Sequence, residues 1–325
     1  MRQLFNRYPR PLIYKLITRI AIQLKYYSMK QFLFVALFLT AYTILHGQVI
    51  QFPESPQEAN FVTSDIGNFW RAFDSIEIAT NNPFENYINS GSIGLQGFIP
   101  NRIMSADSLL RMVIRRRADY EANRGIETLI KQKEKEIKPY FYALEYWYPK
   151  AVYPPVYFLV GRFNSGGTVS ENGLLIGSEM LKDLDGLKRL IVHESIHFQQ
   201  KWPHEEETNV LTQSIQEGAA DFIAELVTGE HGNKAANDYG NSNIKTLCKE
   251  FVEIMYTENF QDWLYGTSGK DERPNDLGYW IGYEIVKSYY DKKEDKKLAV
   301  HNILNIDDFD IFMKESGYLD PFLKR

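Results

Sequence analysis

Residues 190–202 read LIVHESIHFQQKW, and the spacing of the two histidines constrains the local fold more than any other feature of the chain. Positions i and i+4 of an α-helix differ by about 40° around the axis, so His193 and His197 project from one face and can hold one metal ion between them. Glu194 lies about 100° from His193 on the same helix. That places its carboxylate beside the ion's open coordination position, where it takes a proton from water instead of acting as a ligand. The competing reading is a pair of core or surface histidines on an ordinary amphipathic helix.

A catalytic zinc site requires three protein ligands and an open position. One known spacing sets a glycine three residues after the second histidine and a third histidine six after it. Here those positions hold Gln200 and Pro203, with His204 one residue late, so that spacing fails. The stretch QEGAADFIAEL instead offers Glu217, twenty residues after His197, with Asp221 four further on. Glu217 and Asp221 share a helix face, which lets Asp221 bond the outer nitrogen of a ligand histidine and fix its tautomer. The apolar neighbours Ile215, Ala219, Ala220, Ile223 and Ala224 predict a largely buried helix, where a carboxylate needs a partner. Glu205, Glu206 and Glu207 are the alternative ligands, in a charged stretch read as a solvated loop.

Of 37 basic and 42 acidic residues, seven basic and no acidic ones fall in residues 1–47, leaving a net charge of −12 on the rest. Such a body repels a phosphate backbone, and no run of Lys/Arg with interleaved aromatics offsets it, so nucleic acid is not an expected partner. The basic segment has another use. Residues 29–47 start with Met29 and Lys30, run through apolar residues 32–45 and reach Gly47, the pattern of a secretory signal peptide. Residues 1–28 precede it as an extension. The expectation is an exported protein cut near Gly47; the alternative is an uncleaved anchor, since about 20 apolar residues span a bilayer, and membrane contact is expected through this segment alone. Cys248 is the one cysteine, so no intrachain disulfide forms and the body relies on its core.

Periodicity predicts an α+β fold: mostly helical, with a small β-sheet before the metal-binding helix. Residues 68–79, 106–124 and 125–149 have apolar residues at helical spacing, and residues 82–102 read as a turn-rich connection. Residues 154–163 are β-branched and aromatic, 164–173 read as turn chemistry, and 173–181 are apolar again, giving a hairpin-like unit over residues 156–176. A helix over residues 209–229 and a helical C-terminal region including LGYWIGYEIVKSYYD follow. The expected division is an N-terminal extension and signal over 1–47, then one domain over 48–325 with a helical part to 150, sheet and metal helices over 151–230 and helices over 231–325.

Together, His193, Glu194, His197, Glu217 and Asp221 resemble the gluzincin class of zinc peptidases, the thermolysin-like group with a glutamate third ligand. The stretches GRFNSGGTVSENGLLIGSEM, VHESIHFQQ, SIQEGAADFIAEL and RPNDLGYWIGYEIVKSYYD are similar to a family of exported bacterial proteins described as predicted zinc-dependent proteases of unknown function. Gln216 stands where thermolysin-like enzymes carry an asparagine. The resemblance implies a zincin-like fold, a Zn²⁺ cofactor held by His193, His197 and Glu217, Asp221 behind a ligand, Glu194 as general base, and a peptide or protein substrate. It also implies that the strand before the metal helix, residues 173–176, takes the substrate as an added strand. A second donor for the oxyanion is sought downstream at Tyr279, Tyr283 or His231, with Trp280 and Tyr283 alternatively lining a specificity pocket. The reading from a different class is a non-catalytic zincin-fold protein for binding or surface assembly.

Overall fold

The computed structural model describes residues 51–182, 184–201, 208–265 and 273–323. The segment over residues 1–47 expected to direct export lies outside them, as do His204, Glu205, Glu206 and Glu207. All elements named below belong to one compact unit, Phe52–Arg325.

The N-terminal part is helical where apolar residues recur every three or four positions. After a short strand β1 (Phe61–Val62), α1 (Ser64–Asp74) buries Ile66, Phe69, Ala72 and Phe73. Phe69 lies at the centre of an aromatic cluster with Phe73, Phe84, Tyr87 and Tyr120. The segment expected to be a turn-rich connection is instead α2 (Phe84–Asn89), α3 (Ile93–Phe98) and a π-helical turn, Ile99–Ile103. Its glycines mark close approach and not turns. A Cβ on Gly94 would lie 2.1 Å from the Tyr157 ring and one on Gly97 3.1 Å from Ser170, so α3 lies directly on the sheet. Ser92 starts that helix by accepting a hydrogen bond from the Leu95 N–H at 3.2 Å. Helices α4 (Ala106–Arg115), α5 (Arg117–Ala122) and α6 (Ile126–Trp147) follow, α6 ending before Pro149 as expected.

The sheet has four strands in the order β1-β2-β4-β3, with β2 at Val156–Leu159, β3 at Gly167–Ser170 and β4 at Gly173–Gly177. Strand β2 runs parallel to both β1 and β4, and β3 runs antiparallel to β4. Residues 164–173, read as turn chemistry, thus contain a strand, and the hairpin is β3–β4 alone. Gly173 enters β4 at φ 143°, where a Cβ would meet the Pro155 carbonyl at 2.4 Å, a position only glycine fills without strain. Pairing of Tyr157 with Leu175 and of Gly167 with Ile176 puts the first pair on the face covered by α3 and the second on the opposite face.

The crossover from β2 to β3 is held from beneath. The Tyr120 hydroxyl donates to the Gly161 carbonyl at 2.7 Å and the Tyr87 hydroxyl to the Val160 carbonyl at 2.9 Å. The buried Glu179 carboxylate accepts the Phe163 N–H at 3.1 Å. Burial pushes Glu179 up to about 7, against backbone hydrogen bonds that act the other way.

Beyond the sheet come α7 (Leu187–Gln199), α8 (Val210–Thr228), α9 (Lys234–Ser242), α10 (Ile244–Ile254), α11 (Leu277–Lys292), α12 (Lys296–Leu304) and α13 (Phe309–Ser316). Helix α8 opens with a reciprocal cap between Asn209 and Thr212 and closes at Gly229, left-handed at φ 72°. It crosses α11 with the backbones in contact: a Cβ on Gly218 would lie 2.1 Å from the Gly282 carbonyl carbon, and one on Gly282 1.7 Å from the Ser214 oxygen. Cys248 is buried on α10. The fold is α+β, mostly helical with a small sheet, as the periodicity predicts. Among the described residues no helix is long and apolar enough to cross a membrane.

Candidate metal centre

Helix α7 has apolar residues on both sides of the motif, so it is buried nearly all round: Ile191, Val192 and Ile196 are fully covered, and His193 and Glu194 are 7% and 6% exposed. The two imidazoles face α8. His193 Nε2 and His197 Nε2 are 3.0 Å apart, and Glu217 Oε2 lies 3.0 Å from the latter and 3.4 Å from the former. His193, His197 and Glu217 are the group of three that could hold a metal ion among the described residues.

The outer nitrogens decide the chemistry of this convergence. His193 Nδ1 is 2.8 Å from Asp221 Oδ1, and a carboxylate only accepts, so this nitrogen carries the hydrogen. His197 Nδ1 is 2.9 Å from Gln200 Oε1. Gln200 has no freedom to flip its amide, because its Nε2 donates to the Gln216 carbonyl at 2.9 Å. Nδ1 of His197 is therefore the donor as well. Two Nε2 lone pairs and a carboxylate oxygen thus point at one place, an electron-rich spot that requires a cation. Atoms bound tetrahedrally to zinc at 2.0–2.1 Å would stand about 3.3 Å apart, close to the 3.0–3.4 Å found. The residues fit a zinc ion.

The carboxylates around the two imidazoles favour their protonated forms. Burial by itself would lower both histidines, but hydrogen bonds to Asp221 and Glu217 outweigh it and raise His193 to about 10. His197 is raised through Glu217 against the same burial. Burial works against the charged form of Glu217 too, yet the two imidazoles hold its carboxyl well below the usual range.

Several side chains at the site carried no signal that sequence reasoning used. Arg189, one turn before His193, donates to Asp221 Oδ1 at 2.8 Å, the oxygen His193 also uses. The second oxygen of Glu217 accepts from Tyr265 at 3.3 Å and from Gln213 Nε2 at 3.3 Å. Tyr265 is set there by a left-handed backbone, φ 63°, and by its N–H bonding the Asp276 carboxylate. Arg189 and Gln213 could have been found as helix neighbours, four residues before His193 and four before Glu217; Tyr265 comes from a distant loop and only the fold brings it in.

Glu194 lies against strand β3. A Cβ on Gly167 would be 2.3 Å from Glu194 Oε1 and 2.7 Å from its carboxyl carbon. Gly167 is not in a left-handed conformation, so space is what the carboxylate requires there. Burial raises the Glu194 carboxyl, and the nearby imidazoles partly offset it.

The three oxyanion candidates part company. Tyr279 stacks on His193, with ring centres 6.2 Å apart and planes at 14°. His231 and Tyr283 instead meet on Glu225: His231 Nδ1 contacts Glu225 Oε2, and the Tyr283 hydroxyl donates to the same oxygen at 2.9 Å. Trp280 is buried against Gly240, its indole donating to Asn241 at 3.1 Å. The strand expected to take a substrate, residues 173–176, is an inner strand with both edges paired, by β2 and by β3. The edge strands of the sheet are β1 and β3, and β3 is the one that lies against Glu194.

Residues 161–311 match the model of a family described as "Predicted Zn-dependent protease (DUF2268)". The match begins in the crossover before β3 and ends inside α13, so it takes in both metal helices, Glu194, Gly167 and Tyr279. The coarse family resemblance drawn from the motifs agrees with it. Neither the curated proteins nor the solved structures contain a match to this chain.

Proposed function

We propose that this protein is a zinc metallopeptidase in which Glu194 is the general base. The observation that carries the reading is the pair of imidazoles, each with its hydrogen fixed on Nδ1 by Asp221 or Gln200, converging with Glu217 beside a buried, otherwise unused carboxylate. A zinc ion held by His193, His197 and Glu217 would supply a Lewis acid that polarises a peptide carbonyl and acidifies water.

The chain's own residues do the rest. Glu194 has no hydrogen-bond partner among the described residues, and burial raises its affinity for a proton, which suits a group that must take one and hand it to a leaving amine. The Gly167 backbone holds that carboxylate in place on one side. Strand β3 presents an unpaired edge next to Glu194, so an extended peptide adding to it would bring a carbonyl alongside the base. Tyr265 and Tyr279 are the phenols at the ligands; burial raises both, so they keep their hydrogens at neutral pH and can donate to developing negative charge.

The test is metal content followed by cleavage. Purified protein should hold about one zinc per chain and cut members of a broad peptide library, with cleavage abolished by a chelator and restored by zinc. A fully loaded protein that cuts nothing across such a library would overturn the catalytic part of the reading and leave a binding role.

A further inference from the structure

His231 and Tyr283, both expected as donors to an oxyanion, are committed to Glu225, and the turn that carries His231 reaches the metal centre by another route. That turn, residues 229–233, joins α8 to α9. It is fixed at both ends. Gly229 is left-handed at φ 72°, and Asn233 starts α9 by accepting the Ala236 N–H at 3.2 Å. Between them the Glu230 N–H donates to Thr228 Oγ1 at 3.2 Å, and the Gly232 carbonyl accepts from Asn237 Nδ2 at 3.1 Å. His231 fastens the middle of the turn to α8 and α11. Its Nδ1 contacts Glu225 Oε2, which also accepts the Tyr283 hydroxyl at 2.9 Å, and its ring stands edge-on to Tyr283 with centres 5.0 Å apart. A short exposed connection between helices needs no such set of ties.

The turn is fastened against the start of α7. Glu230 pairs with Lys188 at 2.7 Å, and Gly232 lies against Arg189. A Cβ on Gly232 would stand 2.5 Å from Arg189 Nη1, 2.8 Å from its Cζ and 3.1 Å from its Nη2. The whole guanidinium is thus seated on the bare backbone of Gly232. Gly232 is buried and is not in a left-handed conformation, so the position requires an absent side chain and not a special backbone.

The contact continues to the ligands. Arg189 Nη1, the atom nearest that absent Cβ, donates to Asp221 Oδ1 at 2.8 Å, and the same oxygen is 2.8 Å from His193 Nδ1. Asp221 is 6% exposed, and a carboxylate that deep must be compensated by well-placed partners. An arginine side chain loses much rotamer freedom when it is held in one place. Gly232 on its fastened turn is the stop that keeps this one there.

We propose that Gly232, held by His231 and its neighbours, positions Arg189 and through it the Asp221 carboxylate behind His193, so that the turn after α8 sets how tightly the metal centre binds zinc. This rests on the metal centre of the metallopeptidase reading above, and it concerns the ion's affinity and not the identity of its ligands.

The experiment measures zinc affinity of the full chain by competition against a fluorescent chelator, together with the melting temperature of each metal-free variant. Gly232→Ala meets only the far end of a flexible side chain, so the melting temperature should persist. The displaced guanidinium should leave Asp221, and zinc affinity should fall by about threefold or more, part of what losing an outer partner of a ligand costs. In an Arg189→Met background the same change should cost nothing further, because the group it acts through is gone. A purely structural role for the turn would show no such dependence on Arg189. His231→Ala, a change at an exposed residue, should repeat both results in smaller measure, and it decides the matter should Gly232→Ala not fold. Full affinity in Gly232→Ala overturns the proposal, as does a loss that is equally large in the Arg189→Met background. A parent protein that takes up no zinc overturns the metal reading instead, and the positioning role falls with it.

Discussion

Gly167 leaves no room for a side chain beside Glu194: the nearest carboxylate oxygen stands 2.3 Å from where a Cβ would be. A methyl at that position must push the carboxylate aside, because Gly167 is fixed by its pairing with Ile176. Gly167→Ala should therefore retain zinc and fold while turnover on a library-derived substrate falls by roughly tenfold or more, the usual outcome of misplacing a catalytic group. Undiminished turnover in a zinc-matched sample would show that the base does not depend on this contact.

Glu194→Gln keeps shape and hydrogen-bonding capacity but cannot take a proton near neutral pH. Zinc content and thermal stability should persist while turnover drops by about 10²-fold or more. Loss of zinc in this variant would mark Glu194 as a ligand and not a base.

Asp221 ties the site to its surroundings through one oxygen shared by His193 and Arg189. Asp221→Ala should weaken zinc affinity by about 10 to 100-fold without abolishing binding, because the imidazole loses the acceptor that fixes its tautomer. Arg189→Met should act in the same direction and more weakly. Competition against a fluorescent chelator measures both, and full affinity in Asp221→Ala would contradict the tautomer argument.

The histidine pair and its grouping with Glu217 were legible because the patterns are local: His193 with His197, and Glu217 with Asp221, are i, i+4 pairs whose helices announce themselves by periodicity. Gln200 was not, since its value depends on a second bond to Gln216 on another helix that prevents its amide from flipping. Residues 82–102 misled for a related reason. Gly94 and Gly97 look like turn residues in sequence, yet they are helix positions emptied for Tyr157 and Ser170. Strand β3 is four residues long between turn residues, too short for alternation to outweigh its Gly and Ser content. The strand expected to take a substrate, residues 173–176, has both edges paired, because sequence order puts β4 next to the metal helix while sheet order puts β3 on the edge.

Metal-free protein should hold protons where zinc binds. His193 is raised from the ordinary 6.5 to about 10, so its contribution to the stability of the metal-free protein is full below about pH 6.5 and is lost as pH rises through about 10. Zinc uptake at pH 8 must then expel at least about one proton per ion. Calorimetry in buffers of different ionisation enthalpy reads that release directly. Heats independent of buffer would mean that the imidazoles are neutral before the metal arrives.

The Gly218–Gly282 crossing sets the distance between Glu217 and the Tyr279 ring stacked on His193. Gly282→Ala places a methyl 1.7 Å from a backbone oxygen, which no rotamer change relieves, so unfolding stability should fall by about 2 kcal/mol or more. Denaturant titration of the metal-free protein measures it, and a loss near zero would show that the two helices can separate without cost.

Strand β3 has a further consequence outside catalysis. An edge left open for a peptide also invites the same edge of another molecule, and the usual protections, a lysine, a proline or a covering helix, would block the peptide as well. What remains is brevity: four residues, Gly167 to Ser170, with one glycine and two hydroxyl side chains, too short and too polar to template a stable ladder between copies. On the proposed peptidase reading, the shortness and polarity of this strand, and not a covering element, would keep the site from self-association, and replacing Thr168 or Ser170 with valine would trade colloidal solubility for a firmer edge.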